Sequence, residues 1–397
     1  MRTKLCFLCS IFTLFGFTSG LVGQGPPASA PTPVPAERTI EVDCDAGDTL
    51  AEALTQRADE LIVEFSGSCE ENLIVRRDRT RLIGVAAGAE IVGSPGFPTP
   101  ADPFLGVVTV RGASHVTLAG FTVRGGRRGV SVLDGGFARL EGLTVRDNSS
   151  GGIFVQGSRA WIDGLIVKDN GGDGLSAWDA ASVIVGRAAP TVVRRSGRAG
   201  ILASGNSDVS GLVATQVESD DNLFGLVLQL GAGSQSLGLR ASGNDFGAFI
   251  LAEASLGDTV DLRDNDGFGM IVTQGGNVEL RGRIEDNETF GVFADTDAVV
   301  VSRGLTVSGH AFGLWLDGTQ AFLTNTTASD PANLLFGSRV DFAGGNSFTG
   351  GVSCDGTVLV RGDVGCPSPL DSLRMGGVAQ DVERAGAEVS GPLPLVP

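Results

Sequence analysis

A Phe-Gly pair recurs through the second half of this 397-residue chain with a nearly constant spacing. The successive steps between pairs are 22, 22, 22, 22 and 24 residues. A repeat of this length without a helix-length segment is typical of a solenoid, in which each repeat is one coil stacked on the last. We predict that the phenylalanines stack inside these coils. The pairs are Phe224-Gly225, Phe246-Gly247, Phe268-Gly269, Phe290-Gly291, Phe312-Gly313 and Phe336-Gly337.

The same frame extends upstream with glycine alone. Three or four residues that alternate between two faces follow each glycine, and this period of two predicts a β-strand in every coil. The upstream glycines are Gly129, Gly152, Gly174 and Gly200.

A column of polar residues precedes the glycines. Asn tolerates left-handed backbone and its amide can bond the next copy in a stack, so the column predicts a tight corner in each coil. Its members are Asn148, Asn170, Asn222, Asn244, Asn265 and Asn287, with Ser196 and His310 in two other coils. We therefore interpret His310 as a corner residue, and His115, the other histidine, as a turn residue.

The chain is acidic, with 29 basic and 46 acidic residues and a net charge of −17. Affinity for nucleic acid comes chiefly from a basic surface, so this balance argues against a nucleic-acid partner. The 60 glycines and the scarcity of helical patterns agree with one elongated β domain.

The two ends of the sequence differ from the repeats. Residues 1–23 carry Arg2 and Lys4 before a short apolar run, which predicts a signal peptide and a secreted protein, extracellular or periplasmic. No segment is long enough to span a membrane. Residues 24–36 are a proline-rich linker, residues 37–366 the repeat domain, and residues 367–397 a C-terminal tail that could lie back on the solenoid.

The first coil needs a cover, because it would otherwise expose an apolar end and an unpaired strand edge. Thr49 and Glu52 have the spacing of a capping box, and Leu50 and Leu54 share a helical face. The pattern predicts a short capping helix over residues 49–56.

Four cysteines remain after the predicted signal peptide, two near each end of the domain. An even number in an exported chain indicates disulfides, and pairing Cys44 with Cys69 and Cys354 with Cys366 is the simplest of three connectivities. A metal site is the alternative, but no histidine lies near these cysteines and we predict none.

With these motifs the chain resembles the right-handed parallel β-helix proteins of the pectate-lyase-like superfamily. The motifs are the capping helix, the runs at residues 61–69 and 73–75, and repeats such as residues 142–148, and they cover about residues 37–366. The resemblance implies an all-β fold, a right-handed parallel β-helix solenoid with a short N-terminal capping helix.

The superfamily also suggests polysaccharide lyases, hydrolases and epimerases, whose catalytic signatures are not matched. Trp161-Ile162-Asp163 begins like a pectate lyase motif but is broken by Gly164, and Asp220-Asp221 alone echoes a polygalacturonase. The chain has no tyrosine, which epimerases and several lyases use. Whether it is an enzyme is therefore left open.

Two surface columns are candidates for binding. The first is basic, with cations about one strand spacing apart on one face, and it either pairs with carboxylates such as Asp147 and Asp169 or binds an acidic polysaccharide. Residues 101–200 carry 12 basic and 8 acidic residues, whereas residues 201–366 carry 7 and 21. The basic column comprises Arg124, Arg146, Lys168 and Arg194.

The second column is apolar and is predicted to face outward as a stripe larger than monomers normally expose. The C-terminal tail, a second subunit or the sugar faces of a glycan could cover it. The outward apolar stripe comprises Phe154, Leu202, Val227, Phe249, Ile271, Phe293 and Trp315.

No cofactor is predicted, except that Ca²⁺ could bind where Asp264 and Asp286 recur one coil apart. The sequence thus favours a secreted protein that binds polysaccharide without clear catalysis. The alternatives are a lyase that acts on an acidic uronate glycan and a structural surface protein that self-associates.

Overall fold

The computed structural model describes residues 36–94, 102–186, 188–211, 216–256, 259–362 and 364–366. The predicted signal peptide, almost all of the linker and the C-terminal tail lie outside these residues. The described chain forms two long parallel β-sheets. The thirteen-stranded sheet takes one strand from each coil: Leu73–Val75, Val108–Arg111, Arg128–Leu133, Gly151–Gln156, Leu175–Trp178, Ala199–Ala203, Phe224–Leu228, Phe246–Ile250, Phe268–Val272, Phe290–Ala294, Phe312–Asp317, Ala332–Leu335 and Val352–Cys354.

The twenty-five-stranded sheet consists of two neighbouring columns of strands, which a few long strands run through. Its strands are Glu37–Asp43, Glu60–Ser66, Ser68–Glu70, Thr80–Gly84, Glu90–Val92, Val116–Ala119, Thr122–Arg124, Phe137–Glu141, Thr144–Arg146, Arg159–Asp163, Ile166–Lys168, Ser182–Val185, Thr191–Arg194, Asp208–Gly211, Gln216–Asp220, Gly233–Ser242, Glu253–Leu256, Val260–Arg263, Asn277–Glu285, Val299–Ser308, Gln320–Thr324, Thr327–Ala328, Arg339–Phe342, Ser347–Phe348 and Leu359–Gly362.

Consecutive repeats lie directly on one another, as the constant period predicts. Phe246 and Phe268 are register partners in adjacent parallel strands, and so are Phe268 and Phe290. Each coil therefore contributes up to three strands, and equal positions of the repeat are neighbours about 4.8 Å apart. The predicted all-β fold and the stacking of the repeats are confirmed.

The sixth Phe-Gly pair breaks the register. Leu314 pairs with Ala332, so the next coil is shorter and the position of Phe312 is taken there by Asp330. Phe336 instead lies in the turn after strand Ala332–Leu335, with a φ of 46° and an exposed ring. The step of 24 residues had indicated a coil of ordinary length, and that interpretation is wrong.

The interior of the solenoid is filled by aliphatic side chains from all three strand columns. Leu226 and Leu228 from the thirteen-stranded sheet meet Leu239 and Val217 from the other sheet, and all four are fully buried. Burying each such side chain contributes about 1.5–3 kcal/mol. The many repeats of this interior make the stack the main source of stability.

The phenylalanines of the repeat do not lie in this interior, contrary to prediction. Leu226 and Leu228 point inward, so Val227 between them points outward, and Phe224 packs with Val227 in a separate cluster. Gly225 faces inward, where an added Cβ would lie 2.7 Å from the Cβ of Ala241. The rings still stack, with centroids 5.0–5.7 Å apart, but on the outer face of the sheet.

The asparagine column forms a buried ladder of hydrogen bonds. Asn222 donates its backbone N–H (3.0 Å) and its Nδ2 (3.1 Å) to Oδ1 of Asn244. Bonds of this kind stabilise each corner by about 1 kcal/mol, and losing one would leave a buried polar group unpaired. The same two bonds join Asn148 to Asn170, Asn244 to Asn265, and Asn265 to Asn287.

The left-handed residue of each corner is the one before the asparagine, as in Asp264 (φ 53°) and Asp286 (φ 54°). Ser196 donates its backbone N–H to Oδ1 of Asn222 at 2.8 Å and so joins the column as predicted. The predicted position of the corner is correct. The left-handed backbone conformation was expected at the asparagine and lies one residue earlier.

The N-terminal end is closed by a helix that is shorter than predicted, Leu50–Ala53. Thr49 is its N-cap and accepts the backbone N–H of Glu52 at 3.3 Å. The carboxylate of Glu71 accepts the N–H groups of Leu50 (2.8 Å) and Ala51 (3.0 Å), so a carboxylate from the stack holds the start of the helix. A short 3₁₀ helix, Cys44–Ala46, precedes it.

Both predicted disulfides are present, Cys44–Cys69 at the first coil and Cys354–Cys366 at the last. Each closes a coil at an end of the solenoid. Cys44, Cys69 and Glu71 also form the one metal-capable group of three within the described residues. The two sulfurs are bonded to each other, and Glu71 caps the helix.

Candidate binding surfaces

The basic column forms a continuous row on the twenty-five-stranded sheet. Arg124 pairs in register with Arg146, Arg146 with Lys168, and Lys168 with Arg194. The inward neighbours of these residues, such as Val145 and Val193, are fully buried, and this alternation makes the cations face outward. The sequence placed all four correctly on one face.

Carboxylates neutralise the first half of the basic column. Glu90 accepts two hydrogen bonds from Arg124, each of 2.8 Å, and Arg146 pairs with Asp147. The hydrogen bond from Arg124 is the main reason that the pKa of Glu90 lies below its usual value. The prediction that these cations would pair with neighbouring carboxylates holds for this half.

The second half of the column has more cations than carboxylates. Asp169 is held by Arg195 through bonds of 2.6 and 3.0 Å, and Lys168 lies farther from it, at 3.9 Å. Arg194 forms no ion pair within the described residues, and its Nε is buried without a hydrogen-bond partner there. Three cations therefore surround one carboxylate, and the hydrogen bond with Arg195, helped by the other two charges, lowers the pKa of Asp169.

Beyond Arg194 the same row is no longer uniformly basic. Its next two members are Asp220 and Ser242, and Arg263 and Glu285 follow. The electrostatic asymmetry seen in the residue counts is therefore a feature of one continuous surface. An acidic ligand would meet attraction on one half and repulsion on the other.

Both histidines have structural roles. His310 is buried and its Nδ1 accepts the backbone N–H of Asn287 at 3.0 Å, while its Nε2 lies 3.0 Å from the carbonyl of Ile284. It extends the asparagine ladder as predicted. His115 lies in the turn before strand Val116–Ala119, with a φ of 58° and its ring beside Phe137.

The fragment that resembles a pectate lyase motif forms a surface strand. Arg139 from the preceding coil lies over the Trp161 ring at 5.2 Å, and Asp163 accepts the backbone N–H of Ala189 at 3.0 Å. Asp163 thus holds the turn that contains Ala189. Asp264 and Asp286 lie at successive corners without a third ligand among the described residues, and calcium binding there stays a prediction.

The outer face of the thirteen-stranded sheet carries the apolar stripe, all of whose members are buried. At its N-terminal end the cover is visible. Phe104 stacks on Phe154 with ring centroids 5.6 Å apart, and its carbonyl accepts the hydroxyl of Ser131 at 2.8 Å. Leu105 packs between Leu133 and Phe154. The segment just before strand Val108–Arg111 therefore forms a second layer.

Arg128 lies within this layer. Its guanidinium Cζ is 4.4 Å from the Phe154 centroid and 5.3 Å from that of Phe104, and it donates to the carbonyl of Pro103. Burial, with repulsion from Arg127, lowers the pKa of Arg128 to about 10. The aromatic faces compensate for the missing carboxylate partner.

A small cleft lies on the same face beside Arg198. Arg198 forms one wall and is held by Asp173 through bonds of 2.6 and 2.8 Å. Leu202, Phe224 and Val227 line the rest. This cleft was not predicted, because Arg198 lies in a coil that lacks the Phe-Gly pair.

Among known families, the one described as "Right handed beta helix region" matches residues 106–257. The chain has the right-handed parallel β-helix fold. The matched region lies within the solenoid, and the β-helix fold inferred from the repeats is confirmed.

No curated protein matches the chain. Among solved structures, the β-helix is similar to the A-module of the mannuronan C-5 epimerase AlgE6 from Azotobacter vinelandii, at 11% identity and a TM-score of 0.34. The similarity covers 83% of this chain and 90% of that module. Within the described residues, no helix has the length and apolar character that a membrane span requires.

Proposed function

We propose that this β-helix is exported and binds an acidic polysaccharide along its basic column without cleaving it. The observation that carries the proposal is the excess of cations around Asp169. Asp169 is the carboxylate that bonds directly to this group, through Arg195 and Lys168, whereas Asp221 acts on Arg195 only at longer range. Positive charge on Lys168 and Arg194 therefore remains for a ligand.

The spacing of the column suits an extended ligand. Neighbouring cations are about 4.8 Å apart along the solenoid axis, and the row is straight because it follows the stack. A flexible chain with a carboxylate on each sugar could contact several coils at once. Each contact would be weak, and several together would give useful affinity.

Export is part of the proposal. Two disulfides at the ends of the solenoid are typical of proteins that fold outside the cytoplasm. The acidic net charge and the predicted signal peptide fit the same location.

Binding without catalysis is favoured because both histidines already have structural partners. A lyase would need a base close to the cations that neutralise the uronate carboxylate. Around Lys168 the described residues offer only carboxylates that are held in ion pairs, such as Asp169 with its lowered pKa. The uronate lyase stays as the second candidate, since the same cations could serve it.

A binding assay with matched variants tests the proposal. Replacing both Lys168 and Arg194 by alanine should weaken binding to polyuronates about tenfold. This assumes that each cation contributes roughly 0.7 kcal/mol to the binding free energy. The control removes the neutral pair Arg124–Glu90 from the same column by replacing both residues with alanine, and it should change little. Binding should also fall as salt rises.

Equal binding of neutral and acidic glycans, or equal losses in the control, would contradict the proposed role of the cation excess. Release of unsaturated, ultraviolet-absorbing ends from a polyuronate would favour the lyase. If the protein binds no glycan and instead self-associates, the result would favour the alternative of a structural surface protein.

A further inference from the structure

The second half of the apolar stripe is buried although it lies on the outside of the solenoid. Ile271 is 0% exposed and Trp315 is 2% exposed. Ile271 points outward, because its neighbours Met270 and Val272 both belong to the interior cluster. Its register partners Phe249 and Phe293 flank it on the same face.

Neighbours within a sheet cannot bury such residues by themselves. A side chain that projects from a sheet is shielded at its sides by adjacent strands, and its outer end stays open unless a second layer lies above it. At the N-terminal end, Phe104 and Leu105 form that layer. Over the second half, the described residues that pack against the stripe all come from the sheet or from the turns beside it, such as Leu223 and Leu251.

Two polar atoms on this face point to the same missing layer. Trp315 Nε1 and Asn333 Nδ2 are buried, and neither has a hydrogen-bond partner among the described residues. Trp315 and Asn333 are register partners in adjacent strands. Two neighbouring donors without acceptors indicate a cover that carries carbonyl or carboxylate oxygens.

We propose that residues 367–397 of this chain cover the outer face from Leu202 to Asn333. The disulfide Cys354–Cys366 fixes the start of this segment beside the last strand of the same sheet. The covered span comprises seven strands, about 29 Å at 4.8 Å per strand. The segment has 31 residues, which reach about 100 Å when extended and about 46 Å as a helix.

The composition of the segment suits an apolar partner. Val378, Val382 and Val389 recur at helical spacing, and Asp381, Glu383 and Glu388 lie between them. Its larger apolar residues are Leu370, Leu373, Met375, Val378, Val382, Val389, Leu393, Leu395 and Val396.

The other parts of the chain outside the described residues suit this face less well. Residues 187, 212–215 and 257–258 connect strands of the other sheet, and residue 363 directly follows the last strand of that sheet. Residues 95–101 precede the segment with Phe104 that covers the first half of the stripe. Residues 1–35 connect to the chain at the first coil, and that coil is at the end of the solenoid away from Trp315. The proposal does not depend on glycan binding.

The test separates the segment from the folded protein without changing how it folds. A protease recognition site is inserted after Pro369 in the full chain, and Trp161 and Trp178 are replaced by phenylalanine so that only Trp315 fluoresces. The protein is cut after folding. Quenching of Trp315 by acrylamide, the oligomeric state and co-elution of the fragment are measured before and after the cut, with no glycan present.

If residues 367–397 form the cover, the fragment either co-elutes with the β-helix or leaves, and in the second case Trp315 quenching rises several-fold. A fragment that leaves while Trp315 stays equally shielded overturns the proposal. So does an uncut protein that is dimeric and exposes Trp315 on dilution, since a second copy would then be the cover.

A pair of uncut variants provides an independent test. Replacing Val378, Val382 and Val389 by aspartate should raise Trp315 quenching and promote self-association. Replacing Asp381, Glu383 and Glu388 by serine, in the same segment, should do neither. Equal behaviour of the two variants would contradict the proposed contact.

Discussion

The two halves of the outer face of the thirteen-stranded sheet bury their apolar residues in different ways. In the first half, Phe104 and Arg128 cover Phe154 with a small layer held by polar contacts. In the second half, phenylalanines repeat in five successive coils and stack as a ladder, with Phe224 and Phe290 fully buried. The short segment over Phe154 comes just before the strand that it covers, so a few residues that do not repeat are enough to hold it. A longer segment that crosses many coils needs the same apolar surface in each coil.

This comparison explains why the Phe-Gly repeat begins only at residue 224. At the same register the first half has Arg128 and Gly151, and the stripe positions there include Thr109 and Ser131, which bond to the covering segment. The phenylalanines are therefore a property of one surface and are not required by the coil itself.

The largest expected effect is on stability, and it separates the two halves. Phe290→Ala removes a buried ring that contacts Phe268, Phe293 and Trp315, and should cost about 3–5 kcal/mol. Phe104→Ala in the first half should cost less, about 1–2 kcal/mol, because Phe104 is 38% exposed. Denaturant unfolding of both variants measures the difference, and equal losses would contradict the comparison.

The period and the corner could be predicted from the sequence because both repeat. Each Asn of the column has the same environment as the one in the next coil, as Asn222 and Asn244 do. The repeat in the sequence is therefore enough to place both at the same corner. The side of the sheet on which the phenylalanines lie could not be predicted in the same way. Strict alternation from Leu226 would point Gly225 outward and Phe224 inward. Gly225 and Leu226 instead both face inward, and Phe224 therefore lies on the outer face.

The surfaces were predictable only as far as they repeat. The basic column was located because its residues share one register, but its neutralisation by Glu90 depends on a coil that lies earlier in the stack. The cleft beside Arg198 and the layer formed by Phe104 arise from residues that occur once. No periodic signal marks such residues.

The next largest predicted effect comes from removing the disulfide at either end of the solenoid. Cys366→Ser should lower stability by about 2–3 kcal/mol and also increase acrylamide quenching of Trp315, because the start of residues 367–397 is no longer fixed. Cys44→Ser, at the other end, should lower stability by a similar amount while leaving Trp315 shielded. Thermal unfolding and fluorescence measure both.

If Cys44→Ser exposed Trp315 as much as Cys366→Ser does, the disulfide at the last coil would have no special link to the stripe. If neither changed the quenching, the cover would hold without its anchor. Each variant breaks one disulfide, at opposite ends of the solenoid. A difference in Trp315 quenching between them therefore depends on which end is released.

The smallest effect is at the rim of the sheet, where the halves differ in charge. Asp134 in the first half pairs with Arg111. Asp317 in the second half has no cation partner among the described residues, and burial together with the carboxylates of Asp295 and Asp355 raises the pKa of Asp317. The folded state therefore holds the proton more tightly than the unfolded state, and the native protein loses stability as pH rises through this raised pKa.

Asp317→Asn does not titrate, so it should be more stable than the native chain at about pH 7, by about 0.5 kcal/mol or less, with no such gain at about pH 3. Asp297→Asn, an exposed residue nearby, removes the same charge and serves as the control. Thermal unfolding at both pH values measures the change. An equal gain for both variants would assign the effect to net charge, and a gain that persists at low pH would contradict a raised pKa of Asp317.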